Sequence, residues 1–290
     1  MDYKLRLVLY FYGMKKLYLL LGVVLLLASC NTNQKKNQEE KIPTEQNNGI
    51  GDGAPSLSTA FANTIESTHN KEAFLNKNNV SFDISLNFNG EERLAGTFIM
   101  RTNSSKVKYI TKDSTTIIYD GKDVYMSPEN SNMKSARFDI LTWPYFFALP
   151  FKLTDPGTVW GDVEQISEKN KSYSRAKLSF KNDVGDTSDD WYQVYADNET
   201  KLLNYASYIV TFGKSLDKAE ENPHAILYEN YQVIDGVAIS DKWKFYNWSE
   251  EKGLFGEPLG EAKLTNIKFV ESVDYTVPEN ASEVKLPTTK

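Results

Sequence analysis

The stretch "VSFDISLNFNGEERLAGTFIMRT", residues 80–102, decides the fold class. Its first half alternates large apolar side chains with Ser, Asp and Asn, which is the period of a strand with one buried face. The apolar residues of this alternation are Phe82, Ile84, Leu86 and Phe88. Asn89-Gly90 then supplies the residues that a two-residue hairpin requires, and the chain returns as a second strand. The stretch therefore predicts an antiparallel β-hairpin.

The same pattern occurs twice more, in "TTIIYDGKDVYMS" (115–127) and "YENYQVIDGVAISDKWKFYNW" (228–248), with turns predicted at Asp120-Gly121 and Asp235-Gly236. Further strands are expected near 105–111, 173–181, 190–196, 202–212 and 262–270. About ten strands in antiparallel order tend to curl, so we expect an α+β fold with a strongly curved sheet or half-open barrel. No repeat of fixed length and no linker follow residue 56, which indicates a single domain over 57–290.

One N-terminal helix is predicted to lie within or across this sheet. In "LSTAFANTIESTHNKEAFLNKN" (57–78) the large apolar residues fall near one helix face, with Ser58 as the expected cap. The apolar residues of this face are Leu57, Phe61, Ile65 and Phe74. His69 lies close to the same face, and a hydrogen-bonded or partly exposed histidine fits better than a metal ligand, since no second ligand stands four residues away.

The densest apolar stretch after residue 30 is "ARFDILTWPYFFALPFKLTDPGTVW", 136–160, which we call the aromatic segment. Pro144, Pro150 and Pro156 predict short turns or helical pieces here rather than one continuous helix. The segment either completes the core or forms the movable rim of an apolar cavity. The candidate ligand-binding residues are Trp143, Tyr145, Phe146, Phe147, Leu149 and Phe151.

Composition limits the function classes. A chain of 290 residues with 40% hydrophobic residues can build a core, and 13% aromatic residues favour strands. The net charge of -6 becomes more negative without residues 1–29, which hold four basic residues and one acidic residue. Such a surface repels phosphate backbones, so nucleic-acid binding is excluded. Cys30 is the single cysteine, which rules out an intrachain disulfide and a paired-cysteine zinc site.

No motif for catalysis is found. His69 and His224 are the only histidines, neither in a metal-ligand spacing, and neither a G-x-S-x-G elbow nor a glycine-rich phosphate loop occurs. The acidic run 183–190 fits a solvated hairpin loop better than a calcium site, because Ser188 stands where an EF-hand requires glycine. The sequence predicts a protein that is not an enzyme and that has no metal or cofactor.

Residues 14–30, "MKKLYLLLGVVLLLASC", have the charged start, short apolar run and small residues of a secretory signal. Leu27-Ala28-Ser29-Cys30 resembles the lipobox of bacterial lipoprotein precursors. The resemblance implies a signal peptide over 1–29 and a diacylglycerol on the Cys30 sulfur, with further acylation of the new N-terminus. The partner of this anchor is membrane lipid. Residues 30–56 are then a lipidated cysteine and a polar, disordered tether, and Asn31 favours the outer membrane, facing the periplasm.

Three segments resemble the LolA/LolB-like superfamily of lipoprotein carriers: "ADNETKLLNYASYIVTF" (196–212), "YENYQVIDGVAISDKWKFYN" (228–247) and "VDYTVPENASEVKLP" (273–287). The resemblance implies a half-open barrel with helices across its mouth that holds acyl chains or other hydrophobic ligands. Two hypotheses follow. The protein binds a lipid or another apolar ligand without catalysis, or it is an interaction lipoprotein whose aromatic segment docks on an envelope protein complex.

Overall fold

The computed structural model describes residues 55–168, 171–182 and 184–286. The predicted signal peptide, Cys30 and nearly all of the predicted tether lie outside the described residues, so these expectations stay predictions. Among the described residues, no helix is long and apolar enough to span a membrane. The described part is an α+β fold, a large antiparallel sheet with a few helices, which confirms the predicted class.

The helices are α1 (Leu57–Thr68), α2 (Lys71–Leu75), α3 (Ala136–Ala148), a 3₁₀ helix (Leu149–Phe151) and α4 (Leu216–Glu220). The strands are β1 (Asn79–Phe88), β2 (Glu91–Arg101), β3 (Val107–Thr111), β4 (Thr116–Tyr119), β5 (Val124–Ser127), β6 (Thr158–Trp160), β7 (Glu164–Glu168), β8 (Lys171–Phe180), β9 (Tyr192–Asp197), β10 (Leu203–Tyr208), β11 (His224–Ile234), β12 (Val237–Ser249), β13 (Gly253–Val270) and β14 (Ser282–Glu283).

These strands form one sheet in the order β14-β5-β4-β3-β2-β1-β13-β12-β11-β10-β9-β8-β6, with β7 also paired to β8. Every pairing is antiparallel, and β14 and β6 do not pair with each other, so the curved sheet is not closed into a barrel. The sheet has 14 strands in the described part, where the sequence predicted about ten. The short end strands β6, β7 and β14 account for most of this difference, because two to five residues show little alternation.

The three predicted hairpin turns are confirmed. Asn89 and Gly90 join β1 to β2, and both have positive φ angles (52° and 82°), as a tight hairpin turn requires. Asp235 and Gly236 join β11 to β12 in the same conformation, with φ angles of 49° and 84°. The loop at Asp120-Gly121 joins β4 to β5, and the Asp120 carboxylate accepts hydrogen bonds from the backbone amides of the loop.

Helix α3 packs on the inner face of the sheet through stacked rings. The Phe147 ring lies 4.3 Å from that of Phe82 on β1, which in turn stacks on Phe98 of β2 at 5.7 Å. The Phe98 ring stacks on Tyr109 of β3 at 4.2 Å. Buried aromatic pairs of this kind add to the hydrophobic stabilisation from burial alone. The aromatic segment is thus tied to three neighbouring strands.

The predicted N-terminal helix is divided into two. Helix α1 ends at Thr68, and Asn70 adopts a left-handed conformation with φ of 61° before α2 begins. The cap is Ser56 and not Ser58, since its side chain accepts a bond from the Thr59 amide. Phe61 and Ile65 of the predicted face are buried, but Leu57 is 81% exposed because it lies in the first turn, outside the sheet.

The prediction that prolines would prevent a continuous helix is wrong for residues 136–148. Helix α3 has 13 residues and contains Pro144, which removes one intrahelical hydrogen bond. The burial of Trp143, Phe146 and Phe147 offsets that loss, since burying each of these side chains contributes more free energy than one hydrogen bond does. Pro150 lies in the 3₁₀ helix that follows, where a missing amide donor is tolerated.

Candidate functional site

Helix α3 is held in place by a buried carboxylate. The Asp139 side chain is 0% exposed and accepts two hydrogen bonds from the Arg93 guanidinium of β2, at 2.8 and 3.3 Å. It also accepts bonds from the Ser135 hydroxyl (2.7 Å) and the Trp143 indole N–H (2.9 Å). The carboxylate is therefore fully partnered, and it fixes α3 against β2.

Three of the predicted ligand-binding residues complete the core. Phe147 stacks on Phe82, and Phe151 stacks on Phe74 of α2 with ring centroids 4.0 Å apart. Leu149 has no exposed surface. Of the two interpretations of the aromatic segment, completion of the core therefore applies to its second half.

The first half of the segment borders two cavities instead. Tyr145 and Phe146 line a cavity of about 340 Å³, which we call the apolar cavity. It is lined by α3, by residues of strands β2 to β4 and β8 to β10, and by the loops that follow β8 and β10. Its volume is at the lower end of the range of small-molecule sites. Its principal apolar wall residues are Ile140, Leu141, Pro144, Phe180, Val210 and Phe212.

Three tyrosines meet in the apolar cavity and form what we call the inner tyrosine cluster: Tyr145, Tyr192 and Tyr208. Ring centroids are 5.5 Å apart for Tyr145 and Tyr192, and 6.2 Å apart for Tyr192 and Tyr208. The Tyr145 hydroxyl is buried and has no hydrogen-bond partner, and no partner is found for the other two hydroxyls among the described residues. Burial raises the pKa of all three phenols, so each remains a neutral donor.

Sequence reasoning missed Tyr192 and Tyr208. Both lie within predicted strands, and Tyr192 alternates with the inward-facing Val194 and Ala196, so the pattern could have placed it on the inner face. The pattern contains no information on which strands are neighbours. The approach of β9 and β10 to α3 is a property of the sheet order.

Acidic residues of the loop after β8 close the rim of the apolar cavity. Asp186 accepts two bonds from the Arg137 guanidinium of α3, at 2.6 and 2.9 Å. Asp190 is nearly buried and accepts bonds from the amide and hydroxyl of Thr211, both at 2.7 Å. Burial raises the pKa of Asp190. The expectation of a solvated loop is therefore wrong for these two carboxylates, which make protein contacts, and no metal-ligand cluster occurs among the described residues.

A second cavity, of about 540 Å³, adjoins the apolar cavity, and we call it the basic mouth. The two cavities share the wall residues Phe138, Tyr208 and Val210. Trp143, another predicted ligand-binding residue, lines the mouth and not the apolar cavity. The basic residues that line the mouth are Arg93, Lys214, Lys218 and His224, with no carboxylate among its lining residues.

His69 has the structural role that the sequence predicted. Its Nε2 atom accepts a bond from the Leu203 amide (3.1 Å), so its Nδ1 carries the proton and donates to the Ala238 carbonyl (2.9 Å). Both ring nitrogens are therefore occupied by protein contacts. Burial lowers the pKa of His69 to about 4, and the ring joins α1 to β10 and β12 in its neutral form.

A family of unknown function, DUF6503, matches residues 15–255, more than half of the chain. No curated protein sequence is significantly similar.

Solved structures similar to the chain include a LolA superfamily protein from Nitrosomonas europaea, at 9% identity and a TM-score of 0.49, covering 73% of this chain and 94% of that one. A DUF1329 family protein from Desulfovibrio piger has 9% identity and a TM-score of 0.42, covering 75% and 95%. A domain assigned to outer membrane lipoprotein sorting, from Vibrio parahaemolyticus, has 9% identity and a TM-score of 0.44, with the same coverage. A LolA superfamily protein is thus among these similar structures.

Proposed function

This chain belongs to the DUF6503 family of unknown function, and from its own geometry we propose that it binds a hydrophobic ligand without catalysis. The observation that carries the proposal is the apolar cavity of about 340 Å³ beneath α3, with the hydroxyl of Tyr145 buried in its wall without a partner. Native proteins rarely leave a buried polar group unpaired, because the loss costs about 1–3 kcal/mol. A ligand with apolar surface and an acceptor oxygen fits such a wall.

The energy of binding comes from apolar burial. Each Å² of apolar surface removed from water contributes about 25 cal/mol, and the walls of the cavity are mainly aliphatic and aromatic. The neutral phenols add direction, since each can donate one hydrogen bond to a carbonyl or ester oxygen. An acyl chain with its ester or acid group has this combination of properties.

The burial of the aromatic segment favours ligand binding over docking on a protein complex. Trp143 and Phe147 are only 5% and 4% exposed, so their side chains offer little surface to a partner. An interface built on these residues would first require α3 to leave the sheet, with the loss of the Asp139 contacts. The cavity needs no such rearrangement.

We also propose that the protein works at a membrane of the bacterial cell envelope. The support is the lipobox-like sequence Leu27–Cys30, whose acylated cysteine would anchor the chain, with the outer membrane and its periplasmic face as the proposed location. A ligand taken from or delivered to that membrane would be a lipid. The single domain over 57–290 remains part of this proposal.

The experiment is a binding assay on the purified full chain after delipidation, with displacement of a fluorescent fatty-acid analogue as the readout. Leu141→Trp places an indole in the cavity from α3, and we expect at least about tenfold weaker binding, which corresponds to 1.4 kcal/mol. Leu227→Trp is the matched control, because Leu227 is partly buried on the outer face of β11. Equal binding by the Leu141→Trp variant, the control and the unmodified chain would refute a ligand site in the cavity.

A further inference from the structure

We infer that the ligand of the apolar cavity is an anionic amphiphile, with its apolar chain beneath α3 and its charged group at Lys214 and Lys218 of the basic mouth. This inference rests on the proposed function and specifies its substrate class. The two cavities share Phe138, Tyr208 and Val210, so a single elongated molecule can occupy both. The volumes, about 340 and 540 Å³, leave the larger space for the polar part.

The charge at the mouth is positive in a chain whose net charge is -6. Arg93 is neutralised by the buried Asp139, and Lys218 pairs with Glu221 at 2.5 Å. Both side chains of the Lys218–Glu221 pair are more than half exposed, so the pair is weak and open to exchange for another anion. Lys214 has no ion-pair partner in the part of the chain that the structure describes. An anionic headgroup would complete this set of charges.

The positive charge of Lys214 affects His224 in the wall of the basic mouth. Burial lowers the pKa of the His224 imidazole, and the positive charge of Lys214 lowers it further. Lys214 and His224 both line the basic mouth, and the lowered pKa favours the neutral form of the imidazole there. Asn89 and Asn222 add uncharged groups that can donate hydrogen bonds to a phosphate or sulfate oxygen.

The apolar cavity itself does not favour an anion, which fixes the orientation of the ligand. The charged groups of its wall already have partners: Asp186 pairs with Arg137, Lys152 pairs with Asp155, and Asp190 accepts two bonds from Thr211. A carboxylate or phosphate placed there would lose its hydration without meeting an unpaired cation, whereas a neutral ester oxygen can accept from the inner tyrosine cluster. Tyr208 lies at the junction of the two cavities, where the chain meets the headgroup.

The test compares two probes with the same acyl chain, lauroyl-lysophosphatidylglycerol, which is anionic, and lauroyl-lysophosphatidylcholine, which is zwitterionic. Binding is measured on the delipidated full chain by displacement titration at two salt concentrations. The unmodified chain should prefer the anionic probe, and Lys214→Glu with Lys218→Glu should weaken its binding at least about tenfold. Binding of the zwitterionic probe should change less than about twofold.

The matched control reverses two other exposed lysines, Lys263→Glu with Lys268→Glu, which lie on β13 away from both cavities. It should leave both affinities unchanged. Equal affinity for the two probes, or an equal loss in both double variants, would overturn the anionic headgroup while leaving the proposed function intact. Failure of both probes to bind, together with no effect of Leu141→Trp on the fluorescent analogue, would overturn both proposals.

Discussion

The two faces of strands β8 to β10 carry two tyrosine clusters that differ in how their hydroxyls are used. On the face away from α3, Tyr173, Tyr195 and Tyr205 form an outer tyrosine cluster, in which Tyr195 and Tyr205 stack at 3.8 Å. The Tyr205 hydroxyl bonds to both Glu168 oxygens at 3.0 Å. The inner tyrosine cluster lines the apolar cavity beneath α3, and its hydroxyls have no protein partner among the residues that the structure describes.

This difference in hydroxyl partners indicates that the outer tyrosine cluster serves packing and that the inner tyrosine cluster can serve binding. The outer tyrosine cluster is surrounded by charged side chains, since Arg175 donates to the Tyr195 hydroxyl (3.2 Å) and to Glu164 (2.8 Å), and also contacts Glu250. The Tyr195 and Tyr205 hydroxyls are both partnered there, although the buried indole N–H of the neighbouring Trp248 is not, so we assign this face mainly to stability. The inner tyrosine cluster has donors to spare, which is what a site that receives a ligand requires.

Removing the Asp139 carboxylate, which holds α3 against β2, should have the largest effect on this comparison. Asp139→Ala leaves the Trp143 indole N–H and the Arg93 guanidinium without their acceptor, and we expect a loss of about 3–5 kcal/mol in the free energy of unfolding. Glu164→Ala, which removes an exposed carboxylate beside the outer tyrosine cluster, should cost less than about 1 kcal/mol. Denaturant titration measures both, and similar losses would show that α3 does not depend on this contact.

Acid should weaken the inner side of the sheet through His69. The pKa of His69 is lowered to about 4 in the folded state, against about 6.5 when unfolded. Protons therefore bind the unfolded chain more readily, so stability is complete above pH 6.5 and falls as the pH drops toward 4. We expect His69 to contribute a loss of about 2 kcal/mol between pH 7 and pH 5.

Urea titrations at both pH values measure the dependence that His69 confers. His69→Gln should flatten it, while His224→Gln, which replaces a half-buried histidine at the basic mouth, should retain most of it. The same acid sensitivity in the unmodified chain and in His69→Gln would contradict the assignment.

The smallest effects give the closest comparison of the two clusters. Tyr205→Phe removes a hydrogen bond to a carboxylate, and we expect a loss of about 1.5 kcal/mol in the free energy of unfolding. Tyr145→Phe removes a hydroxyl that has no protein partner, so we expect a change within about 0.5 kcal/mol or a slight gain. Thermal unfolding of the two variants checks this difference, and equal losses would mean that the Tyr145 hydroxyl is partnered in solution.

Local patterns in the sequence determined the strands and their turns. The alternation around Phe82 and the residues Asn89-Gly90 and Asp235-Gly236 are sufficient, because strand period and turn geometry depend on neighbours along the chain. The lipobox-like sequence ending at Cys30 likewise predicts a lipid anchor, and this prediction requires no knowledge of the fold. The helical state of 136–148 was not predictable, since the burial that offsets Pro144 comes from distant strands.

The candidate site was decided by the tertiary structure. The sequence selected Tyr145 and Phe146 because they lie in an aromatic run, but it also selected Phe147 and Phe151, which fill the core. Only the sheet order brings Tyr192 and Tyr208 to α3 and places Lys214 beside His224. A cavity is the space that packed side chains leave between them, and this space depends on contacts between residues far apart in the chain.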